Sequence, residues 1–172
     1  MRALRVVVAI ASIVCLACSD STGLTLEGSP FMRARIDGRP FSLQESDVLS
    51  WGWGGTLGGF LSVQGLPATL APDSNEFIYI QVGAYNGPGT YTLDGSRNVT
   101  PAVNAANYGL FDGNVTPTQS FETGGLYTGS IHIIAVDTTS GTIIGTFAFS
   151  AAATFGPAGE VHITEGSFRI RH

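Results

Sequence analysis

Lysine is absent from this chain of 172 residues, and all eight basic residues are arginine. Charged residues of either sign make up only 12% of it, with a net charge of −5. That scarcity argues against a disordered chain, which combines charge with low hydrophobicity, and against a Lys/Glu-rich coiled coil. It also argues against a nucleic-acid partner, because such binding needs many cations to neutralise phosphates. Cysteine is nearly absent: Cys15 and Cys18 are the only two. Both precede the bulk of the chain, which is left without a disulfide, a thiolate nucleophile or a Cys-based metal site. No apolar run reaches the ~20 residues that a helix needs to cross a bilayer. Helical periodicity is missing too, because the 23 Gly and 8 Pro interrupt nearly every candidate stripe past Ser29. The length suits one domain of ordinary size.

The leading segment, residues 1–17, reads as a secretory signal. Arg2 and Arg5 form its positive start, and Val6 to Leu16 is an uncharged apolar run of 11 residues. The run ends in Ala17-Cys18, followed by the polar stretch from Ser19 to Ser29. A small residue before a Cys at this place resembles the bacterial lipoprotein processing box. In that family of signals the Cys is acylated and becomes the first residue of the mature chain. Cys15 stands where those boxes usually carry Leu. Cys18 is therefore the expected lipidation site, and residues 18–29 the lipidated Cys and a flexible tether. Ser19, directly after the Cys, resembles the arrangement that sends lipoproteins to the outer membrane. An ordinary secretion signal cut near Ala17, or a buried N-terminal strand, is the other reading. Without residues 1–17, six Arg face thirteen Asp and Glu, a balance of −7.

The body, residues 30–172, reads as one all-β domain. Phe31 to Ile36 alternates apolar and polar residues. Asp37-Gly38, a hairpin turn dipeptide, and then Pro40 to Leu43 follow it. Further strand candidates are Gly59 to Val63, Glu76 to Val82, Thr90 to Leu93 and Tyr108 to Phe111. The segments Ser130 to Asp137, Thr142 to Ala152 and Val161 to Arg171 form a three-strand meander. A three-residue loop, Thr139-Ser140-Gly141, sets Ile133 opposite Phe147 and Ile131 opposite Phe149, with Gly141 in the left-handed conformation. Glu165-Gly166 reads as a β-bulge that returns Phe168 and Ile170 to the face of Val161 and Ile163. One buried face then collects Ile131, Ile133, Phe147, Phe149, Ile163 and Phe168, while His132 and Arg169 point away. The expected architecture is an antiparallel sandwich of about eight to ten strands, with a closed or partly open barrel as the alternative.

Four blocks carry a family resemblance. They are the opening with Phe31, Ala34, Ile36-Asp37-Gly38 and Pro40-Phe41; Gly89-Thr90-Tyr91-Thr92-Leu93; Gly145-Thr146-Phe147-Ala148-Phe149; and Val161, Ile163-Thr164 with Gly166-Ser167-Phe168. In this order they resemble domain-of-unknown-function family 6252, a group of uncharacterised bacterial lipoproteins. The resemblance implies an all-β envelope domain behind a lipobox. It implies no activity and passes on no functional residues. The stretches 64–86 and 97–123 match it least well.

Motifs for chemistry are sparse. There is no G-x-S-x-G elbow, no H-E-x-x-H, no Lys-bearing phosphate loop and no EF-hand loop. His132 and His162 fall on non-adjacent strands of the meander, and His172 ends the chain, so no metal site and no cofactor are expected. Asp94-Gly95-Ser96 and Asp112-Gly113-Asn114 read as turns. Asn98-Val99-Thr100-Pro101 and Asn114-Val115-Thr116-Pro117 match the glycosylation acceptor pattern, each with a Pro after it. The ligand-binding candidates are Trp51 and Trp53, which alternation places on one face with bare Gly backbone between them. Two such rings either stack on a sugar or take up a peptide, or else they fill the core. The sequence points to a non-catalytic binding or structural module of the outer membrane. Its expected partners are the membrane, through the lipid, and an envelope glycan or protein. The alternatives are a secreted carbohydrate-active hydrolase with a carboxylate pair and a lipocalin-like carrier of an apolar ligand.

Overall fold

The structure is a computed structural model that describes residues 23–54, 59–68, 75–95, 103–111 and 117–171, apart from the side chains of Val48, Trp53 and Gly54. Asp37 and Gly38 both take positive φ, 49° and 80°. They thereby close the two-residue hairpin between β1 (Phe31–Ile36) and β2 (Arg39–Gln44). Strands β3 (Val48–Gly54), β4 (Phe60–Leu66), β5 (Glu76–Val82), β6 (Gly89–Leu93) and β7 (Ala105–Phe111) follow. The chain ends with β8 (Pro117–Glu122), β9 (Gly129–Asp137), β10 (Thr142–Phe155) and β11 (Glu160–Arg171). All strand pairs are antiparallel.

Hydrogen bonding runs in the order β2-β1-β11-β10-β8-β7-β5-β4-β3, and β9 and β6 branch from β10. The fork lies in β10. One edge of it pairs with β11 along most of its length. The other edge pairs first with β9 and then, from Ala152 onward, with β8. One layer is thus β2-β1-β11-β10-β9-β6, and the other is β8-β7-β5-β4-β3. The layers face each other: a Cβ on Gly65 of β4 would sit 2.7 Å from Met32 Sδ and 2.8 Å from Leu43 Cδ1. Between them the core is filled by Met32, Leu61, Ile78, Ile80, Leu93, Ile131, Ile163 and Phe168, each at most 1% exposed. The protein is all-β, with eleven strands among the described residues where about eight to ten were expected, in a sheet that is not closed. That rules out the fully closed barrel. The extra strands escaped the sequence reading because β8 buries only Phe121 and β3 is broken up by glycine.

The six meander residues share one buried face as expected, each at most 4% exposed. Their pairing differs. Thr142 pairs with Asp137, so the loop has four residues, Thr138 to Gly141, instead of three. Asp137 causes this: its Oδ1 accepts from the N–H groups of Thr139 at 2.8 Å and Ser140 at 3.3 Å, and its Oδ2 from the Ser140 hydroxyl at 2.7 Å. These bonds, the Ser140 hydroxyl first, also hold the Asp137 carboxyl below its usual pKa. A bulge at Ile134 then shifts the register once more, setting Ile131 opposite Phe147 and Ile133 opposite Gly145. Two shifts of one residue restore the side-chain phase, which is why the faces survive the changed partners. The bulge near Glu165-Gly166 is present, with Glu165 at φ 52° opposite Ala148.

Candidate functional site

Trp51 lies on β3, half-buried against the core, and its Nε1–H donates to the Gly141 carbonyl at 2.7 Å. The backbone of Trp53 pairs with Leu61, but its side chain lies outside the described residues, so the proposed ring pair is described only for Trp51. Cys18, both glycosylation-pattern sites, Asp112 and His172 also lie outside them. His132 sits on β9 and His162 on β11, separated by β10. No three His, Cys, Asp or Glu among the described residues gather where they could hold a metal.

A polar cluster that sequence reasoning missed forms where the two layers meet. Arg39 opens β2 directly after the hairpin, Glu76 opens β5, and Tyr108 lies in β7 opposite Ile78. The Arg39 guanidinium grips both Glu76 oxygens, with Nη1 at 3.1 Å from Oε2 and Nη2 on Oε1. The Tyr108 hydroxyl donates to Glu76 Oε1 at 2.7 Å. Burial first, and then the Glu76 carboxylate, push the Tyr108 pKa far up. The Glu76 hydrogen bond likewise raises that of Arg39. Glu76 is mostly buried, its side chain 16% exposed, while that of Arg39 is 55% exposed. Arg39 therefore presents a fixed cation to solvent on top of a neutralised carboxylate.

Two clefts meet at Arg39. One, of about 270 Å³, runs along Pro40, Leu43, Asp47 and Pro67. The other, of about 390 Å³, has Ile36, Leu110 and Phe121 as apolar lining and Asp37, Gln119 and Glu160 as polar lining. Donors and acceptors thus flank an apolar strip, the usual composition of a site for a small polar ligand. Residues 39, 76 and 108 carry no local motif; only the facing of β2 and β5 brings them together.

A second cluster lies on the outer face of β10 and β11. Ser150 pairs with His162 across the strands, and its Oγ is 2.9 Å from His162 Nδ1. Glu160 Oε1 is 3.6 Å from His162 Nε2. The Tyr127 hydroxyl also bonds to Glu160, which raises the pKa of that tyrosine. Serine, histidine and acid are the residue types of a nucleophilic triad, but the arrangement differs from one. The acid lies beyond hydrogen-bond reach, and both His162 and Glu160 are more than half exposed. The backbone N–H of His162 donates to Asp37 Oδ1 at 2.9 Å, tying this strand to the hairpin turn. The cluster behaves as a solvated cross-strand pair.

The comparisons with known proteins give a family and go no further. A family model described as domain of unknown function (DUF6252) matches residues 58–170. The chain belongs to that family. Three of the four resembling blocks lie inside the matched span, and the opening block precedes it. No curated protein and no solved structure matches.

Proposed function

We propose that this member of the family is a lipid-anchored protein of the bacterial cell envelope that binds its ligand without transforming it. Its parts are a signal over residues 1–17, Cys18 as the lipidated residue, a tether to residue 29, and one binding domain over 30–172. The Ala17-Cys18 box supports the anchor, and Ser19 the outer membrane. The observation that carries the binding role is the Arg39–Glu76–Tyr108 cluster between its two clefts. A carboxylate gripped by a guanidinium and a phenol is spent as a base and serves to fix Arg39 in place. The paired donors, acceptors and apolar strip suit a hydroxyl-rich envelope glycan.

One observation favours a hydrolase as the second reading: Asp37 and Glu160 both line the larger cleft. Glycoside hydrolysis needs one carboxyl kept desolvated as the acid, and the Glu160 side chain is 55% exposed. A filled interior supports binding at the surface over carriage of an apolar ligand within.

The test is titration calorimetry of the protein with peptidoglycan fragments and envelope oligosaccharides. Binding that weakens at least tenfold in Arg39→Ala, with no new reducing ends after long incubation, is the expected result. Reducing ends that vanish in Glu160→Gln would replace this reading with the hydrolase. Unaltered binding in Arg39→Ala would move the site elsewhere. For the anchor, Cys18→Ala should release the protein from membranes or accumulate the precursor, and unchanged fractionation would refute the lipobox.

A further inference from the structure

The arginines of this acidic chain are not spread evenly. Of the five among the described residues, four lie on the adjacent strands β1 and β11: Arg33, Arg35, Arg169 and Arg171. They share the outer face. Met32, Ala34 and Ile36 point into the core, so Phe31, Arg33 and Arg35 point out. On β11, Phe168 and Ile170 are buried, so Arg169 and Arg171 also point out. Phe31 sits between two of the cations, with the Arg33 guanidinium 4.3 Å and that of Arg169 5.4 Å from its ring centre. Glu165, 2.9 Å from Arg35, offsets part of this charge, Glu160 is exposed at the far end of β11, and Glu27 is exposed just before β1.

The N-terminal segment enters the domain across the same face. Arg169 Nε donates to the Thr25 carbonyl at 2.7 Å, and Nη1 to that of Ser29 at 3.2 Å. Gly23, Ser29, Phe31, Arg33, Gln44 and Arg169 line one shallow cleft there. Cys18 precedes Gly23 by five residues. Five residues reach at most about 17 Å even when fully extended, about two Debye lengths at physiological salt.

We propose that this arginine face is the surface by which the anchored domain lies against the anionic phosphates of the membrane lipid. The inference rests on the anchor reading and adds an orientation to it. A lipid on Cys18 holds Gly23 within range of the headgroups, and the charged surface beside Gly23 is this arginine face. Guanidinium groups suit phosphate oxygens, which they bind in pairs of hydrogen bonds. The opposite layer, with Ser50 on its exposed side, faces away from the bilayer.

The experiment uses the full chain, processed in cells and purified from membranes. Mass spectrometry first reads whether Cys18 carries acyl chains. The protein is then reconstituted in vesicles of phosphatidylcholine alone, or of phosphatidylcholine mixed with phosphatidylglycerol. A fluorophore is attached through Ser42→Cys, opposite Arg33 on β2, or through Ser50→Cys, and a quencher is carried on the lipid headgroup. The Ser42 label should be quenched more strongly in the anionic vesicles, and the Ser50 label should not. The difference should vanish in high salt and in Arg33→Gln/Arg171→Gln. Each Arg lost near an anionic surface should weaken the docked state roughly fivefold. This pair spares the Arg35 and Arg169 contacts that hold the fold. Equal quenching in both vesicles, or of both labels, in an acylated protein overturns the arginine face alone. A Cys18 without acyl chains overturns the anchor and this inference together.

Discussion

Trp51 and Gly141 stand ninety positions apart, and the indole N–H of one is bonded to the carbonyl of the other at 2.7 Å. The bond fastens β3, the edge of one layer, to the loop that joins β9 to β10 in the other. Both partners have a reason to be what they are. Trp brings a donor on a flat apolar body to this place, and Gly141 takes φ 65° at the loop's end. Trp51→Phe should cost about 1 kcal/mol in urea unfolding, the usual worth of one hydrogen bond. Gly141→Val should cost more, at least about 1–2 kcal/mol, because a β-branched residue is strained at that φ. A Trp51→Phe variant as stable as the parent would mean that the tie is not made in solution.

Phe147 stacks near Phe149 and Phe168, with ring centres 6.3 and 6.2 Å away, and is 4% exposed. Removing it leaves a large cavity between the layers, so Phe147→Ala should cost about 3–5 kcal/mol. His132 is on the same sheet and one residue from Ile131, but on the outer side. His132→Ala should change stability by less than about 0.5 kcal/mol. Urea midpoints of the two variants measure this directly, and similar losses in both would mean that the face assignment is wrong.

At the bulge, two neighbouring residues are constrained in opposite ways. Glu165 carries the left-handed conformation, whereas a Cβ on Gly166 would lie 2.4 Å from the Phe147 carbonyl oxygen and 2.5 Å from its ring. Gly166 is therefore fixed by close packing and Glu165 by backbone shape. Gly166→Ala should destabilise by about 1–3 kcal/mol through overpacking. Glu165→Gly removes backbone strain and an exposed ion pair with Arg35, two effects of similar size. It should leave stability within about 1 kcal/mol of the parent. Thermal unfolding of the two variants decides, and the reverse order would contradict the bulge geometry.

What the sequence made legible is local, and what it hid is not. The Asp37-Gly38 hairpin, the β5 span and the meander's buried face follow from turn dipeptides and alternation, which neighbouring residues encode. The bulge was visible because an odd spacing from Ile163 to Phe168 needs one extra residue. The loop before Gly141 was misjudged by one residue because side-chain bonding by Asp137 outweighed apolar pairing. Strand β8 escaped because Pro117 and its polar neighbours give no alternation to read. The Arg39–Glu76–Tyr108 cluster was beyond reach in principle, since its members are 37 and 32 positions apart and meet only through layer packing. The arginine face was partly legible: Arg169 was placed outward, but its neighbourhood with Arg33 and Arg35 depends on β1 pairing with β11.

The Tyr108 phenol makes stability depend on alkaline pH in a way that identifies the cluster. Burial, and then the hydrogen bond to Glu76, raise its pKa well above the usual 10 of a tyrosine. Up to about pH 10 both the folded and unfolded chains keep the proton, and the favourable burial of the neutral phenol is fully present. Above that pH the unfolded chain loses the proton while the folded chain retains it, so the unfolded state binds fewer protons and stability falls as pH rises. The slope for one such group approaches about 1.4 kcal/mol per pH unit. Tyr85 is raised as well, by burial and then by Tyr91, and adds to the slope of the parent. Tyr108→Phe isolates the first contribution: it keeps the ring, loses one hydrogen bond at neutral pH for about 1 kcal/mol, and should decline less steeply above pH 10. Urea midpoints of parent and variant from pH 8 to 11 make the comparison. Parallel decline in the two would mean that the phenol is solvated and that the Arg39–Glu76–Tyr108 cluster is open to water.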